Sequence, residues 1–352
     1  MREKSLKDIS WQVSEDEYRQ DPSLSYSTIA TYKRSGFEGL DQLYERKDTP
    51  SLTFGSAVDA LITGGESEFN DRFIVADFPD IPDAIVKIVK ACFDLYASSY
   101  RNLTDIPDSN IITIAASFNY QNNWKPETRA KVIREKGEEY YQLLFLSENK
   151  TILTSTTYTE VLAAVRVLRE SEATKFMFRP DDPFDDSIER LYQLKFKATL
   201  DGVDYRCMSD LLIVDYNKKI IYPKDLKTSS HYEYDFYKSF IQWDYQIQAR
   251  LYWRIIRDNL DRDPYFKSFT LADYEFVVVN KKTLNPLVWE FKFTTSVGTL
   301  YVGKNAPHGI ELRDPEELGK ELNHYLKTRP IVPDGIKLVG SNDLIEWINK
   351  YE

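Results

Sequence analysis

The chain has 352 residues, 42% of them hydrophobic and 14% aromatic, enough to bury a large core and too apolar for a disordered or fibrous protein. A formal net charge of -10 argues against a protein that coats nucleic acid, because phosphate binding relies on lysine and arginine, but leaves room for a local basic channel. No apolar run reaches bilayer-spanning length and the start, "MREKSLKDISWQVSEDEYRQD", lacks the apolar stretch of a secretion signal, so the sequence predicts a soluble, cytoplasmic protein of one large domain or two closely fused ones.

The first segment reads as irregular as far as "LSYSTIATYKRS", where Ser25 or Ser27 can cap a short helix. "LTFGSAVDALITGG" follows as a helix whose Gly55 permits close packing and whose end is marked by Gly64 and Gly65. From about 66 to 175 the pattern is mainly helical, with apolar side chains at helical spacing in "DAIVKIVKACFDLYASSY", "KPETRAKVIREKGEEYYQLLF" and "TSTTYTEVLAAVRVLRES". No internal repeat is evident there. Only two cysteines occur, Cys92 and Cys207, without metal or redox spacing; both read as small core residues.

The texture changes after "RPDDPFDDS". Its run of Asp181, Asp182, Asp185 and Asp186 lies among prolines and reads as a solvated linker rather than a metal cluster. Residues 189–228 alternate apolar and polar side chains, with turn signals at Asp201-Gly202 and Asn217-Lys218, and predict three consecutive strands. "DFYKSFIQWDYQIQARLYWRIIRDNL" reads as one helix of several turns, "YEFVVVNKKTLNPLVWEFKF" as two strands, and the tail from about 314 as helix again. The order predicts an α/β core with one mixed sheet rather than a repeating βαβ barrel.

One stretch carries chemistry. In "IIYPKDLKTSS", Asp225 and Lys227 are two positions apart and so share a strand face. Fourteen residues separate Asp225 from Asp210, a hairpin's length that can return the two carboxylates to one place. Paired carboxylates repel and call for protonation or a cation; Lys227 offsets part of that charge, and a magnesium ion with its hard oxygen ligands would offset more. Carboxylates, a divalent ion and a lysine are what hydrolysis of a phosphodiester requires.

Asp210 with Asp225-Leu226-Lys227 resembles the PD-(D/E)XK nuclease superfamily, with Ser209 standing where the name motif has proline. Three further matches follow the family's order. "FGSAVDAL" is similar to the helix motif of the phage recombination exonucleases, the lambda exonuclease and RecE-like group, with Asp59 in the place of their metal-binding histidine or glutamate. "YQIQARLYW" resembles the QxxxY motif of RecB-like and RecE-like nucleases through Gln248 and Tyr252, and "LSYSTIATY" resembles their serine-containing helix start. The matches span residues 24 to 252 and leave the helical block and the last hundred residues unaccounted for.

The resemblance implies a restriction-endonuclease-like α/β core, a central mixed sheet flanked by helices, with a large helical elaboration: N-terminal core helices over 1–65, elaboration over 66–185, catalytic sheet and QxxxY helix over 186–300, and a helical tail over 301–352. It implies a Mg2+-dependent deoxyribonuclease, Mn2+ able to substitute, with Asp59, Asp210, Asp225 and the Leu226 carbonyl as metal ligands. Lys227 would orient the attacking water and Gln248 and Tyr252 would support the site; Ser27, Lys33 and Arg34 would receive a substrate phosphate. The implied activity is exonuclease digestion of linear double-stranded DNA for recombination or repair in a bacterial or phage-infected cell, with a single-strand annealing protein as partner and a homo-oligomer as assembly. An endonuclease or a helicase-associated nuclease of the same fold is the first rival, and a catalytically silent DNA-end binder the second. Lys195 and Lys197 share a strand face and stand as backbone contacts or as a solvated face. His231, His308 and His324 lack zinc spacing, His231 being nearest the motif.

Overall fold

The computed structural model describes residues 4–44, 49–77, 81–147, 150–292, 298–300 and 310–328. The chain forms two compact units, one of residues 1–55 with 163–352 and one of residues 56–162. The first helix, α1 (Glu15–Gln20), starts with a capping box in which Ser14 and Glu17 satisfy each other's backbone N–H groups. The sequence predicts irregular structure over this stretch, and the helix replaces it. Helix α2 (Tyr26–Ser35) begins at Ser25, whose N–H donates to Thr28 Oγ1 at 2.8 Å. Helix α3 (Pro50–Thr63) runs across the division into the second unit.

The second unit is helical: α4 (Gly65–Arg72), α5 (Asp83–Tyr96), α6 (Asp108–Ser117), α7 (Pro126–Leu146) and the first half of α8 (Ser155–Glu170). Ile85, Ile88, Val89 and Cys92 of α5 recur every three or four residues and meet Ile111 and Ile114 of α6 and Ala130, Ile133 and Tyr141 of α7 in one buried cluster. Gly137 lets α7 lie close to α5, since a Cβ there would strike Val89 and Leu103. Two strands of three residues, β1 (Phe73–Val75) and β2 (Thr151–Leu153), pair in parallel.

The first unit is built on a mixed sheet. After α9 (Lys175–Phe178) come β3 (Ile188–Leu200), β4 (Val203–Asp215) and β5 (Ile220–Ser229), the expected meander. Asp201 and Gly202, both with positive φ (49° and 78°), form the two-residue turn between β3 and β4. Helices α10 (Phe236–Gln242) and α11 (Tyr245–Arg262) cross back, and then follow β6 (Thr270–Leu271), β7 (Tyr274–Asn280) and β8 (Pro286–Phe291). The order is β3-β4-β5-β7-β8, with β5 and β7 parallel, the other neighbours in that path antiparallel, and β6 pairing with β5. A short pair, β9 (Gly298–Leu300) and β10 (Ile310–Leu312), precedes α12 (Pro315–Thr328).

Helix α11 lies against β3, β4 and β7. Its Ile247, Leu251, Ile255 and Ile256 share a core with Phe196, Tyr205, Cys207 and Phe276. The run expected as one helix is in fact two, because Asp244 is left-handed (φ 56°, ψ 41°) and turns the chain between α10 and α11. Both cysteines are buried; burial pushes Cys92 up to about 11 and, outweighing a backbone hydrogen bond with Phe196, Cys207 higher still, so neither is a ready thiolate. Among the described residues no helix is long and apolar enough to cross a membrane.

Candidate active site

Strands β4 and β5 pair as far as Leu211 opposite Lys224. One step further that register sets Asp210 against Asp225, where pairing with β4 stops while β5 stays paired with β7 on its other edge: Asp225 with Phe276 and Lys227 with Val278. The Leu226 N–H, no longer answered by β4 backbone, donates to Asp210 Oδ2 at 2.9 Å. Because N–H and C=O of one strand residue point the same way, the Leu226 carbonyl also faces this gap.

The parting of the strands coincides with a slip in side-chain alternation. Core residues of β4 run Val203, Tyr205 and Cys207, then Leu212 and Val214, changing phase around Asp210. The same register puts Gln193 of β3 opposite Asp210, and Gln193 has φ 52°, a local break in that strand.

Asp225 is 1% exposed. Its Oδ1 accepts a hydrogen bond from Gln248 Nε2 of α11, and its Oδ2 forms an ion pair with Lys227 Nζ without hydrogen-bond alignment. Lys227 lies over the ring of Tyr245, 5.0 Å from its centroid. Burial would lower the Lys227 ammonium, but Asp225 first, then Tyr245, Asp210 and Tyr26, raise it well above the usual lysine range, so it stays charged at neutral pH. Burial likewise lifts the phenols of Tyr26 and Tyr245.

Tyr245, Gln248 and Tyr252 fall at i, i+3 and i+7 on α11 and so share one face. Gln248 Oε1 is buried without a hydrogen-bond partner. Tyr252 sits edge-on to Tyr274 at 6.4 Å; burial and then neighbouring groups including Asp225 and Asp210 push its hydroxyl up. Of the expected pair, Gln248 bonds a carboxylate directly, whereas Tyr252 packs behind it.

The donors gathered here are the Asp210 and Asp225 carboxylates, the Leu226 carbonyl and the unanswered Gln248 Oε1. All are hard oxygens, and a magnesium ion needs only one or two carboxylates besides water and substrate phosphate, so these residues fit it. Among the described residues, no three His, Cys, Asp or Glu side chains form a group able to hold a metal. Asp59, expected as a third carboxylate, is partly exposed and lies on the portion of α3 that belongs to the second unit.

The residues expected to receive a substrate phosphate have other partners. Lys33 Nζ pairs with Asp244, Arg34 Nη1 lies 3.5 Å from Asp244 Oδ2 and 3.4 Å from the Trp243 carbonyl, and the Tyr26 hydroxyl donates to that carbonyl. Three side chains of α2 thus hold the bend that starts α11. Ser27 is exposed, its Oγ 2.9 Å from Ser25 Oγ. Sequence reasoning missed Asp244, Tyr26 and Tyr245; the available signals were an aspartate just before an amphipathic run and a tyrosine one turn ahead of Gln248.

Other candidates are tied down as structure. Lys195 Nζ donates to the Val13 carbonyl at 3.0 Å, and Lys197 pairs with Asp21 at 2.7 Å over the Trp11 ring. Asp181 pairs with Arg190, while Asp182 and Asp185 accept from the N–H groups of Phe184 and Ser187. The His231 carbonyl accepts from Asn280 Nδ2 and its N–H donates to Ser229 Oγ. His324 stacks edge-on with Tyr325, and His308 lies outside the described residues.

No family model and no curated protein matches the chain. It is similar to a crystal structure named "Putative exonuclease" from Eubacterium rectale, at 12% identity and a TM-score of 0.44, over 93% of this chain and 97% of the other. A likeness of that size says nothing about chemistry, so the geometry of the site has to speak for itself.

Proposed function

We propose that the protein is a Mg2+-dependent deoxyribonuclease, an exonuclease acting on linear duplex DNA in recombination or repair, with Mn2+ able to replace Mg2+. The observation that carries this reading is the convergence of Asp210, the Leu226 backbone, Asp225 and Lys227 where β4 and β5 part, with Gln248 holding Asp225 from α11. The bound ion would neutralise charge on the scissile phosphate and acidify a water. Asp210, Asp225 and the Leu226 carbonyl would hold it. Lys227, kept charged by Asp225, presents an ammonium to the attacking water or the phosphate oxygens. Gln248 fixes the rotamer of Asp225, and the tyrosines exclude bulk water on the α11 side. Asp59 enters as a further ligand from the family resemblance alone, as do the annealing-protein partner and the homo-oligomer.

The test is digestion of a 5′-labelled linear duplex with Mg2+ or with chelator, using wild type and Asp225→Ala. Magnesium-dependent release of label that Asp225→Ala abolishes supports the reading; equal digestion by both proteins overturns it. A closed circular duplex separates exonuclease from endonuclease. Binding to DNA ends without cleavage, unchanged in Lys227→Ala, would identify a silent end binder instead.

A further inference from the structure

Two tyrosines just beyond the site are unusually open. Tyr232 is 52% exposed and Tyr234 74%, yet their rings stack almost parallel, with centroids 5.6 Å apart and planes 6° apart. Exposed aromatic rings gain little from water, and a single pair is far too small a patch for a stable protein interface.

The segment carrying them is anchored. The His231 N–H donates to Ser229 Oγ at 3.0 Å, and Asn280 Nδ2 donates to the His231 carbonyl at 2.6 Å. The hydroxyl of Thr283 donates to Glu233, and the Asp235 N–H donates to the Tyr232 carbonyl at 2.9 Å. The rings are therefore presented from a segment bound on both sides to the end of β5 and the β7–β8 turn. That turn carries Lys281 and the exposed Lys282, and Lys238 lies on the first turn of α10. Glu233 accepts from the Thr283 hydroxyl, and Asp235 pairs with Lys238 at 2.8 Å, which leaves Lys281 and Lys282 of the β7–β8 turn as the source of positive charge.

We infer that Tyr232 and Tyr234 form a stacking platform for unpaired bases of single-stranded DNA leading to the Asp225–Lys227 centre. Planar rings open to solvent beside lysines are the combination that binds a single strand without regard to sequence. Bases of an intact duplex are already stacked on each other and cannot use such a platform. Tyr232 lies five positions beyond Lys227, and extended chain spans at most about 3.6 Å per residue, so Tyr232 lies within roughly 18 Å of the lysine, a few nucleotides of strand. The inference rests on the nuclease reading for the identity of the strand, and it narrows the substrate to an end that is frayed or carries an overhang.

The test measures anisotropy of a labelled single-stranded oligonucleotide and of a blunt duplex, both in chelator so that nothing is cut. Tyr232→Ala and Tyr234→Ala should each weaken single-strand binding about ten-fold, Tyr234→Phe should bind as wild type does, and blunt-duplex binding should be unchanged in all three. Melting curves of the variants check that folding is intact. Wild-type-like binding by both alanine variants, equal losses for strand and duplex, or no single-strand binding by wild type would each overturn the inference. Tyrosine-dependent binding by a protein that never cleaves DNA sinks the nuclease reading alone. Cleavage accompanied by tyrosine-independent binding sinks the platform alone.

Discussion

Gln248 Nε2 reaches from α11 to Asp225 Oδ1 on β5, joining the helix to the acidic centre through one buried hydrogen bond. Gln248→Ala leaves that oxygen buried and unanswered, at a cost of about 1–3 kcal/mol in stability. It should also lower divalent-ion affinity about 10–100-fold, as loss of a bond that orients a ligand commonly does. Calorimetric titration with Mn2+ beside a thermal melt checks both, and an unchanged affinity would remove Gln248 from the site.

Asp225 and Lys227 neutralise each other in a largely buried place. Asp225→Ala should therefore destabilise by about 3–5 kcal/mol, since it strands the ammonium. Adding Lys227→Met should recover much of that loss while cleavage stays absent. Urea denaturation of the two single variants and the double variant gives the coupling, and additive effects would show that the pair is not energetically linked.

The bend at Asp244 makes a different demand on Lys33 and Arg34 than a DNA phosphate would. If their work is to hold α11, Lys33→Ala and Arg34→Ala each cost about 1–2 kcal/mol in stability and leave the salt dependence of duplex binding as it was. A phosphate contact would instead lower the slope of log K against log salt by about 1 per residue. Binding isotherms across a salt series decide between the two.

Asp21 ties the N-terminal segment to the sheet through Lys197 and Arg206. Burial alone would raise its carboxyl, but the bonds from Lys197 and Ser23 outweigh that and hold it below the ordinary aspartate value. The stabilisation is thus present above about pH 4 and fades as pH falls through the lowered folded value. Asp21→Asn should cost about 1–2 kcal/mol at pH 7 and progressively less in more acid solution. Melting temperatures from pH 7 to pH 2.5 test this, and a difference that does not change with pH would refute it.

Where the pattern had a short period and a local cause, the sequence was readable. Alternation over 189–228 and the Asp201-Gly202 turn predict β3, β4 and β5, and the two-residue repeat puts Asp225 and Lys227 side by side. The bend at Asp244 was hidden because apolar spacing continues across it; nothing local reveals that α2 supplies its partners. The short β1 and β2 strands were equally hidden, being three residues each and separated by three helices. The slip around Asp210 is visible only once β3 is laid beside β4. The capping box at Ser14, by contrast, was in plain view as serine followed three residues later by glutamate.

The sheet-bearing unit is made from two distant pieces of chain. Leu24 exchanges backbone bonds with Asp204 and Arg206, and Lys33 meets Asp244, although the whole second unit is strung between them. A ribosome thus delivers α2 long before the strand and helix it must join. While translation is in progress, Asp225 emerges ahead of Gln248 and of β7, so the nascent chain carries its acidic groups unassembled. Only a chain translated beyond Asn280 can bring them into register.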